Sequence, residues 1–189
     1  MYSAHQNLSA ILDAVMILRP HTVLDYGAGD GNIGFLVRRY LEYASPDMRP
    51  TLHAIEPYTP YHTRHPAGTY DEAVRYGPFR KGFYDLLLLI DVVEHFHKPA
   101  GQALIAHLLN FTKNILVSTP KQFFDNPPSD NPLERHRSLW TRRDLTRFGP
   151  TCFLPSPVSH IALIGRDASR VKHILMKRRL NRLFGKSIW

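Results

Sequence analysis

The sequence predicts a doubly wound α/β fold, with helices on both faces of a mostly parallel sheet. Short β-branched and aliphatic runs alternate along the chain with segments whose apolar residues recur every three to four positions. The run Leu86–Ile90 is continuously aliphatic, which is typical of a strand buried on both faces of a parallel sheet. Sheets of this kind bind ligands outside the carboxyl ends of their strands.

In the first part of the chain, prolines and glycines separate the predicted elements. Apolar spacing predicts helices over residues 8–18 and 33–44, and strands over residues 22–26, 51–56 and 70–76. Pro20 ends the first helix, and Pro57 ends the second strand. The third of these strands has the weakest pattern.

The second part of the chain continues the alternation. Strands are predicted over residues 84–90, 114–118 and 159–164, and helices over residues 104–109 and 168–184. Thr141 and Asp144 have the spacing of a capping box, which predicts a short helix that Gly149 and Pro150 end.

The positive charge is concentrated at the end of the chain. The 189 residues carry a net charge of +8, and residues 166–189 account for eight Lys and Arg against one acid. We therefore divide the chain into a domain over residues 1–165 and a basic helical tail over residues 166–189. The tail suits RNA phosphates or an anionic membrane surface, or it packs on the sheet with its charges in water.

Composition limits the class of protein. Cys152 is the single cysteine, so neither an internal disulfide nor a cysteine-rich zinc site is expected. No aliphatic run approaches the roughly 20 residues of a membrane-spanning helix. The N-terminus has no basic stretch followed by an apolar one, so we expect a cytoplasmic protein.

A glycine-rich turn follows the first predicted strand and admits two interpretations. Gly29 to Gly34 match the dinucleotide pattern G-x-G-x-x-G, and Glu56 follows at the distance of an acid that binds a ribose. In the other frame, Asp25 ends the strand and Asp30 lies within the turn. These carboxylates would repel a pyrophosphate and suit a cationic ligand that bears an amino group and a sulfonium.

The segment from Asp25 to Gly29 resembles the first motif of class I S-adenosylmethionine-dependent methyltransferases, and the resemblance extends over residues 8–164. It implies a Rossmann-like, mostly parallel sheet of seven strands, with S-adenosylmethionine as the cofactor. The cofactor-binding residues that it implies are Asp25, Gly27, Ala28, Gly29, Glu56 and Asp91. Asp25 would hold the amino end, the turn would give backbone clearance, and Glu56 would bind the two ribose hydroxyls.

The same resemblance has one gap. Residues 84–95 are similar to the fourth-strand motif, beside the methionine moiety, and residues 115–120 to the fifth strand and its exit loop. After the third strand, however, Tyr76, Gly77 and Pro78 replace the acid or amide that often contacts the adenine amine. We therefore expect adenine recognition by packing and backbone groups.

Two carboxylates and two histidines form the candidate acceptor site. If a helix begins near Asp91, then Glu94 and His95 project towards the same side, and His136 is a fourth candidate. These residues would hold a divalent metal, or act without a metal as acid, base or acceptor-orienting groups, with Glu94, His95 and His136 catalytic. A purely structural role is the remaining possibility.

The spacing is similar to that of small-RNA 3′-terminal 2′-O-methyltransferases. Those enzymes hold a magnesium-type ion with two acids and a histidine, plus a histidine upstream of a Trp-Thr pair. Here Asp91 takes the place of a glutamate, and His136 precedes Trp140 and Thr141.

We expect a methyltransferase that acts on an oxygen or nitrogen nucleophile of a small molecule. A metal-assisted RNA 2′-O-methyltransferase is the alternative within the class. An NAD-dependent oxidoreductase and an inactive scaffold that docks a polyanion through its tail are the alternatives outside it.

Overall fold

The computed structural model describes residues 3–47, 49–77, 83–123 and 130–183. Within these ranges the α-helices are α1 (Ser3–Leu18), α2 (Asn32–Ala44), α3 (Thr59–His62), α4 (Lys98–Leu108), α5 (Arg142–Thr146) and α6 (Ala168–Leu183). The strands are β1 (Thr22–Tyr26), β2 (Thr51–Ile55), β3 (Glu72–Val74), β4 (Leu86–Ile90), β5 (Asn114–Pro120), β6 (Thr151–Leu154) and β7 (Ser159–Gly165).

The seven strands form one sheet in the order β3-β2-β1-β4-β5-β7-β6. Each neighbouring pair from β3 to β5 is parallel, and β7 runs antiparallel to both β5 and β6. The strand order reverses between β1 and β4, which is the topological switch point where open α/β sheets bind ligands. The predicted doubly wound, mostly parallel sheet of seven strands is confirmed.

Hydrophobic side chains fill both sides of this sheet. On one side, helices α1, α2 and α6 pack over residues such as Leu86 and Leu88, and on the other, α4 and α5 pack over Leu87 and Leu89. All four leucines are fully buried, as expected of a central parallel strand. The rigid sheet therefore fixes the positions of the loops at its carboxyl edge.

The sequence patterns did not predict two short elements. Strand β6 and helix α3 have four residues each, too few to show a period. The third strand is also shorter than predicted, because only Glu72–Val74 pair with β2. The capping box is confirmed, since Thr141 Oγ1 accepts from Asp144 N and the Asp144 carboxylate accepts from Thr141 N.

The expectation of a helix beginning near Asp91 is wrong. Asp91 has a left-handed backbone with φ of 53°, a single 3₁₀ turn spans Val93–His95, and α4 begins only at Lys98. Pro99 lies in the first turn of α4, where its fixed φ favours helix initiation. Asp91 and Glu94 therefore lie in a turn after β4, not on one helical face.

Helix α6 buries some of its apolar side chains in the core and exposes others at the surface. Ala168 and Val171 are fully buried against the side of the sheet that α1 covers. Met176 and Leu180 are about half exposed, among basic residues. The last six residues of the predicted tail, 184–189, lie outside the described residues. No helix in the described part of the chain is long and apolar enough to cross a membrane.

Candidate active site

The glycine turn between β1 and α2 has a backbone that only glycine adopts readily. Gly27, Gly29 and Gly31 have φ of 73°, 55° and 77°. A Cβ at Gly27 would lie 2.7 Å from a methyl group of Val92, whereas one at Gly29 would meet no atom of the described residues within 4 Å. The turn is therefore closely packed against Val92 at Gly27 and open at Gly29, where there is room for a ligand.

Glu56 joins this turn to the end of β2. Its side chain is 5% exposed, its Oε2 accepts from Gly29 N at 2.7 Å, and its Oε1 accepts from Tyr58 N at 2.8 Å. A carboxylate offers about four lone pairs, so two remain for a ligand that bears neighbouring hydroxyls. Burial raises the pKa of Glu56, although the two backbone N–H groups lower it.

Asp25 lies deeper than the sequence suggested. It is 3% exposed and accepts a hydrogen bond of 2.7 Å from the Tyr70 hydroxyl. Burial raises the pKa of Asp25 to about 6; the Tyr70 hydrogen bond opposes this shift and the charge of Glu56 adds to it. Asp25 is thus a buried acid at the switch point, held by the Tyr70 hydroxyl.

A histidine beyond α3 completes this side of the site. The Nε2 atom of His65 lies 2.9 Å from the Gly29 carbonyl oxygen, and its ring lies against Gly31. Its neighbour Arg64 approaches Asp30 at 3.7 Å. The sequence pattern singled out neither His65 nor Tyr70, because both contacts join distant parts of the chain.

The ends of β4 and β5 are tied together at Asp91. Its Oδ1 accepts a hydrogen bond of 2.5 Å from the Ser118 hydroxyl, and its N–H donates to Ser118 O at 3.0 Å. These strands lie side by side, with Ile90 opposite Ser118. This arrangement brings the turn that carries Glu94 to the carboxyl edge of the sheet.

Three of the four predicted acceptor-site residues come together. Ligand atoms of Glu94, His95 and His136 all lie within 4.8 Å of one another, while Asp91 is not part of this group. The rings of His95 and His136 have centroids 5.1 Å apart. The predicted proximity of these three residues is found, although no helix is responsible for it.

Glu94 is unusual within this cluster. It is 2% exposed, and neither carboxylate oxygen accepts a hydrogen bond from any of the described residues. Burial, and then the charge of Asp91, raise its pKa well above the usual range, and the nearby Thr119 hydroxyl, too poorly aligned for a standard hydrogen bond, opposes this shift. Burial lowers the pKa of His95. A buried carboxylate without partners is costly, so it is expected to be protonated or to bind a cation.

Backbone contacts position this cluster. The N–H groups of Arg137 and Ser138 donate to Glu94 O at 2.7 and 3.1 Å, which brings the loop of His136 beside the turn. The indole of Trp140 is fully buried and donates to Val93 O at 3.1 Å. Trp140 was missed as a positioning residue, since the sequence does not show what a buried indole contacts.

Two tyrosines of the α3 segment reach across to the loop that carries His136. The Tyr61 hydroxyl donates to Glu134 Oε1, and the Tyr58 hydroxyl donates to Asp130 O at 3.2 Å. Burial, reinforced by Glu134, raises the pKa of Tyr61 to about 12. The glycine turn and the histidine cluster are thus two sides of one bridged site.

The cluster has a donor set that fits a transition-metal ion. One carboxylate and two imidazoles suit Zn²⁺, Mn²⁺ or Fe²⁺, whereas Mg²⁺ prefers oxygen ligands. The partnerless oxygens of Glu94 agree with this donor set. The residues therefore fit a divalent metal ion that accepts nitrogen as well as oxygen ligands.

Comparisons with known proteins agree with this geometry. A family model described as a methyltransferase domain matches residues 2–149. No curated protein has significant sequence similarity to the chain.

Solved structures share the fold at low identity. Magnesium protoporphyrin IX methyltransferase (ChlM) from Synechocystis PCC 6803, with bound SAH, is 13% identical and has a TM-score of 0.58, covering 86% of this chain and 84% of that one. The methyltransferase domain of bacterial CtHen1 is 19% identical with a TM-score of 0.61, covering 85% and 98%. The N-terminal domain of EvdMO1 with SAH bound is 15% identical with a TM-score of 0.60, covering 84% and 80%.

Proposed function

This chain belongs to the methyltransferase domain family, among the class I S-adenosylmethionine-dependent enzymes, and on that premise we propose that it methylates an oxygen or nitrogen nucleophile of a small molecule. The observation that carries the proposal is the position of Glu56 beside the open space above Gly29. The acceptor would lie across that space, next to the histidine cluster.

The glycine turn and Glu56 fit S-adenosylmethionine as the cofactor. When bound, it supplies an electrophilic methyl group on a sulfonium. The unused lone pairs of Glu56 suit the two ribose hydroxyls, and the missing side chain at Gly29 lets the backbone approach the ligand. Asp25 adds negative charge near the amino end of a cationic cofactor.

His95 and His136 are the groups that would orient or deprotonate the acceptor. Burial lowers the pKa of His95, which favours the neutral imidazole that can accept a proton. Methyl transfer depends mainly on an in-line approach of a positioned nucleophile. Two imidazoles at the carboxyl edge, held by the backbone of Glu94, suit that task.

The tyrosine bridge favours a small acceptor over a large one. Tyr58 and Tyr61 connect the α3 segment to the 130–134 segment and limit access to the site from that side. RNA is the alternative acceptor, because the Lys and Arg side chains on the surface of α6 can neutralise its phosphates. We also propose that residues 1–165 form the methyltransferase domain and that residues 166–189 form a basic helical tail.

Metal-assisted transfer is the second candidate, and the partnerless carboxylate of Glu94 favours it. With a divalent ion held by Glu94, His95 and His136, the ion would supply positive charge beside the acceptor oxygen. Asp91 would then remain a support for β4 and β5 through Ser118.

The test is the formation of S-adenosylhomocysteine with panels of small hydroxyl and amine acceptors and with RNA ends. Each assay is run after dialysis against a chelator and again with Mn²⁺ or Zn²⁺. We expect turnover with a small acceptor and loss of turnover in Glu94→Gln, while His97→Gln, an exposed neighbour, keeps it. Turnover with RNA ends alone would overturn the small-molecule proposal, and full turnover in chelator would overturn the metal candidate.

A further inference from the structure

A second cleft lies at the far carboxyl edge of the sheet, beyond the histidine cluster. It has a volume of about 450 Å³ and is bordered by the N-terminal part of α1, the turn between β6 and β7, and the residue after β5. Lys121, Arg142 and His160 line it together with serines, and no acidic side chain of the described residues does. Such a lining favours an anionic occupant.

The two cations of this cleft are held in place without a carboxylate. Lys121 Nζ donates to Ser156 O at 2.6 Å and to Pro157 O at 3.3 Å. The Arg142 guanidinium lies over the Phe153 ring, 4.5 Å from its centroid. Among the described residues, neither cation forms an ion pair, so both charges are available to a ligand.

His160 is the third side chain with hydrogen-bonding nitrogens that lines the cleft. Its Nδ1 is buried and has no hydrogen-bond partner among the described residues, so a ligand in the cleft would meet the other ring nitrogen, Nε2. Burial lowers the pKa of His160, and the positive charges of Lys121 and Arg142 lower it further. A bound anion would offset that repulsion and favour the protonated imidazole.

The cleft lies within reach of the proposed transfer site. His160 is opposite Thr119 on β5, and Ser118 is opposite Ile90 on β4. Because neighbouring strands are about 4.8 Å apart, His160 lies about 10 Å across the sheet from the end of β4. One small acceptor could therefore contact both places.

We propose that Lys121, Arg142 and His160 form a subsite that binds an anionic group, phosphate or carboxylate, of the methyl acceptor. The inference rests on the proposed function and narrows its substrate class to acidic small molecules. Arg142 offers a planar fork that matches either oxyanion, and Lys121 offers a point charge. Phe153 limits the movement of the guanidinium, which reduces the entropy lost on binding.

The subsite is tested by nuclear magnetic resonance of the histidine side chains in the full chain, titrated with inorganic phosphate and separately with acetate. We expect saturable shifts of the His160 signals and an increase in its pKa. The stronger of the two anions identifies the acceptor group. Arg142→Ala and Lys121→Ala should each weaken the response at least tenfold, whereas Arg143→Ala, an exposed arginine of the same helix, should not.

Two outcomes would overturn this proposal: no saturable response to either anion, or an equal response in all variants, which indicates an adventitious ion only. Thermal unfolding followed by circular dichroism verifies that each variant is folded. Calorimetry with S-adenosylmethionine on the same samples separates the two proposals. Absence of cofactor binding in the unmodified protein would contradict the proposed function, whereas loss of the anion response alone would contradict the subsite.

Discussion

The backbone N–H of Gly29 donates to Oε2 of Glu56 across 2.7 Å, joining the glycine turn after β1 to the end of β2. The second carboxylate oxygen is held by Tyr58 N, so the orientation of Glu56 is fixed before any ligand binds. A Cβ at Gly29 would meet no atom of the described residues within 4 Å, so the space beside this hydrogen bond is open. An acid that is already oriented loses little entropy when it accepts hydroxyl donors.

Replacing Glu56 by glutamine should weaken binding of S-adenosylhomocysteine by about 10- to 100-fold, because hydrogen bonds to a charged group contribute about 1.5–3 kcal/mol. The loss should be much smaller for an analogue that lacks the ribose 2′-hydroxyl. Isothermal titration calorimetry with both ligands measures this difference.

Glu72→Gln is the matched control, since Glu72 is an exposed acid at the start of β3. It should bind both ligands as the unmodified protein does. An equal loss for both ligands in Glu56→Gln would mean that the carboxylate supports the turn and does not contact the ribose.

The stability of the ligand-free protein should depend on pH through Asp25. Its pKa is about 6 when folded, above the value of about 4 expected in the unfolded chain, so the folded state binds the proton more tightly. The stabilisation from Asp25 is therefore fully present below about pH 4 and is lost as the pH rises through about 6. Glu94 acts in the same direction.

Asp25→Asn should remove the Asp25 part of this decline. Urea unfolding of both proteins between pH 4 and 7 gives the free energy of unfolding. We expect the variant to gain stability relative to the unmodified protein as the pH rises. A constant difference across that range would show that Asp25 does not titrate there.

Trp140→Phe should lower stability and turnover while leaving cofactor affinity unchanged. The substitution removes the indole donor to Val93 O, which then accepts only from Phe96 N; this costs about 0.5–1.5 kcal/mol and loosens the turn that carries Glu94. Denaturant unfolding, cofactor calorimetry and turnover measurements separate these effects. Ser138→Ala removes an acceptor of the indole and keeps the bond to Val93, so its effect should be smaller. Cofactor affinity that falls together with turnover would contradict a local role.

Glu94→Gln and His136→Gln should each weaken the binding of Co²⁺, used as a visible-absorbing probe for this donor set, by at least tenfold. The absorption bands of bound Co²⁺ report the affinity directly. His97→Gln, exposed and three residues from Glu94, should bind it normally. Identical Co²⁺ titrations in all three variants would show that the cluster is not a metal site.

Local patterns predicted the elements that have a clear period, including the central strand Leu86–Ile90 and the glycine turn. They failed for β6, whose four residues owe their conformation to pairing with β7. They also failed at Asp91, because an i, i+3, i+4 spacing fits a turn as well as a helix.

Sequence patterns also predicted only part of the candidate active site. Glu94 and His95 are close in sequence, so their proximity was predictable, and the family resemblance added His136. The support of Asp25 by Tyr70 spans 45 residues and that of Val93 by Trp140 spans 47. Such contacts are set by tertiary packing and leave no periodic signal in the sequence.

The most direct test of cofactor identity is calorimetric titration of the purified protein with S-adenosylmethionine and, separately, with NAD. We predict micromolar binding of S-adenosylmethionine, weakened in Asp25→Asn because a negative charge near the cationic cofactor is removed. NAD should give no binding heat. Binding of NAD that Asp25→Asn leaves unchanged, with none of S-adenosylmethionine, would contradict the proposed chemistry.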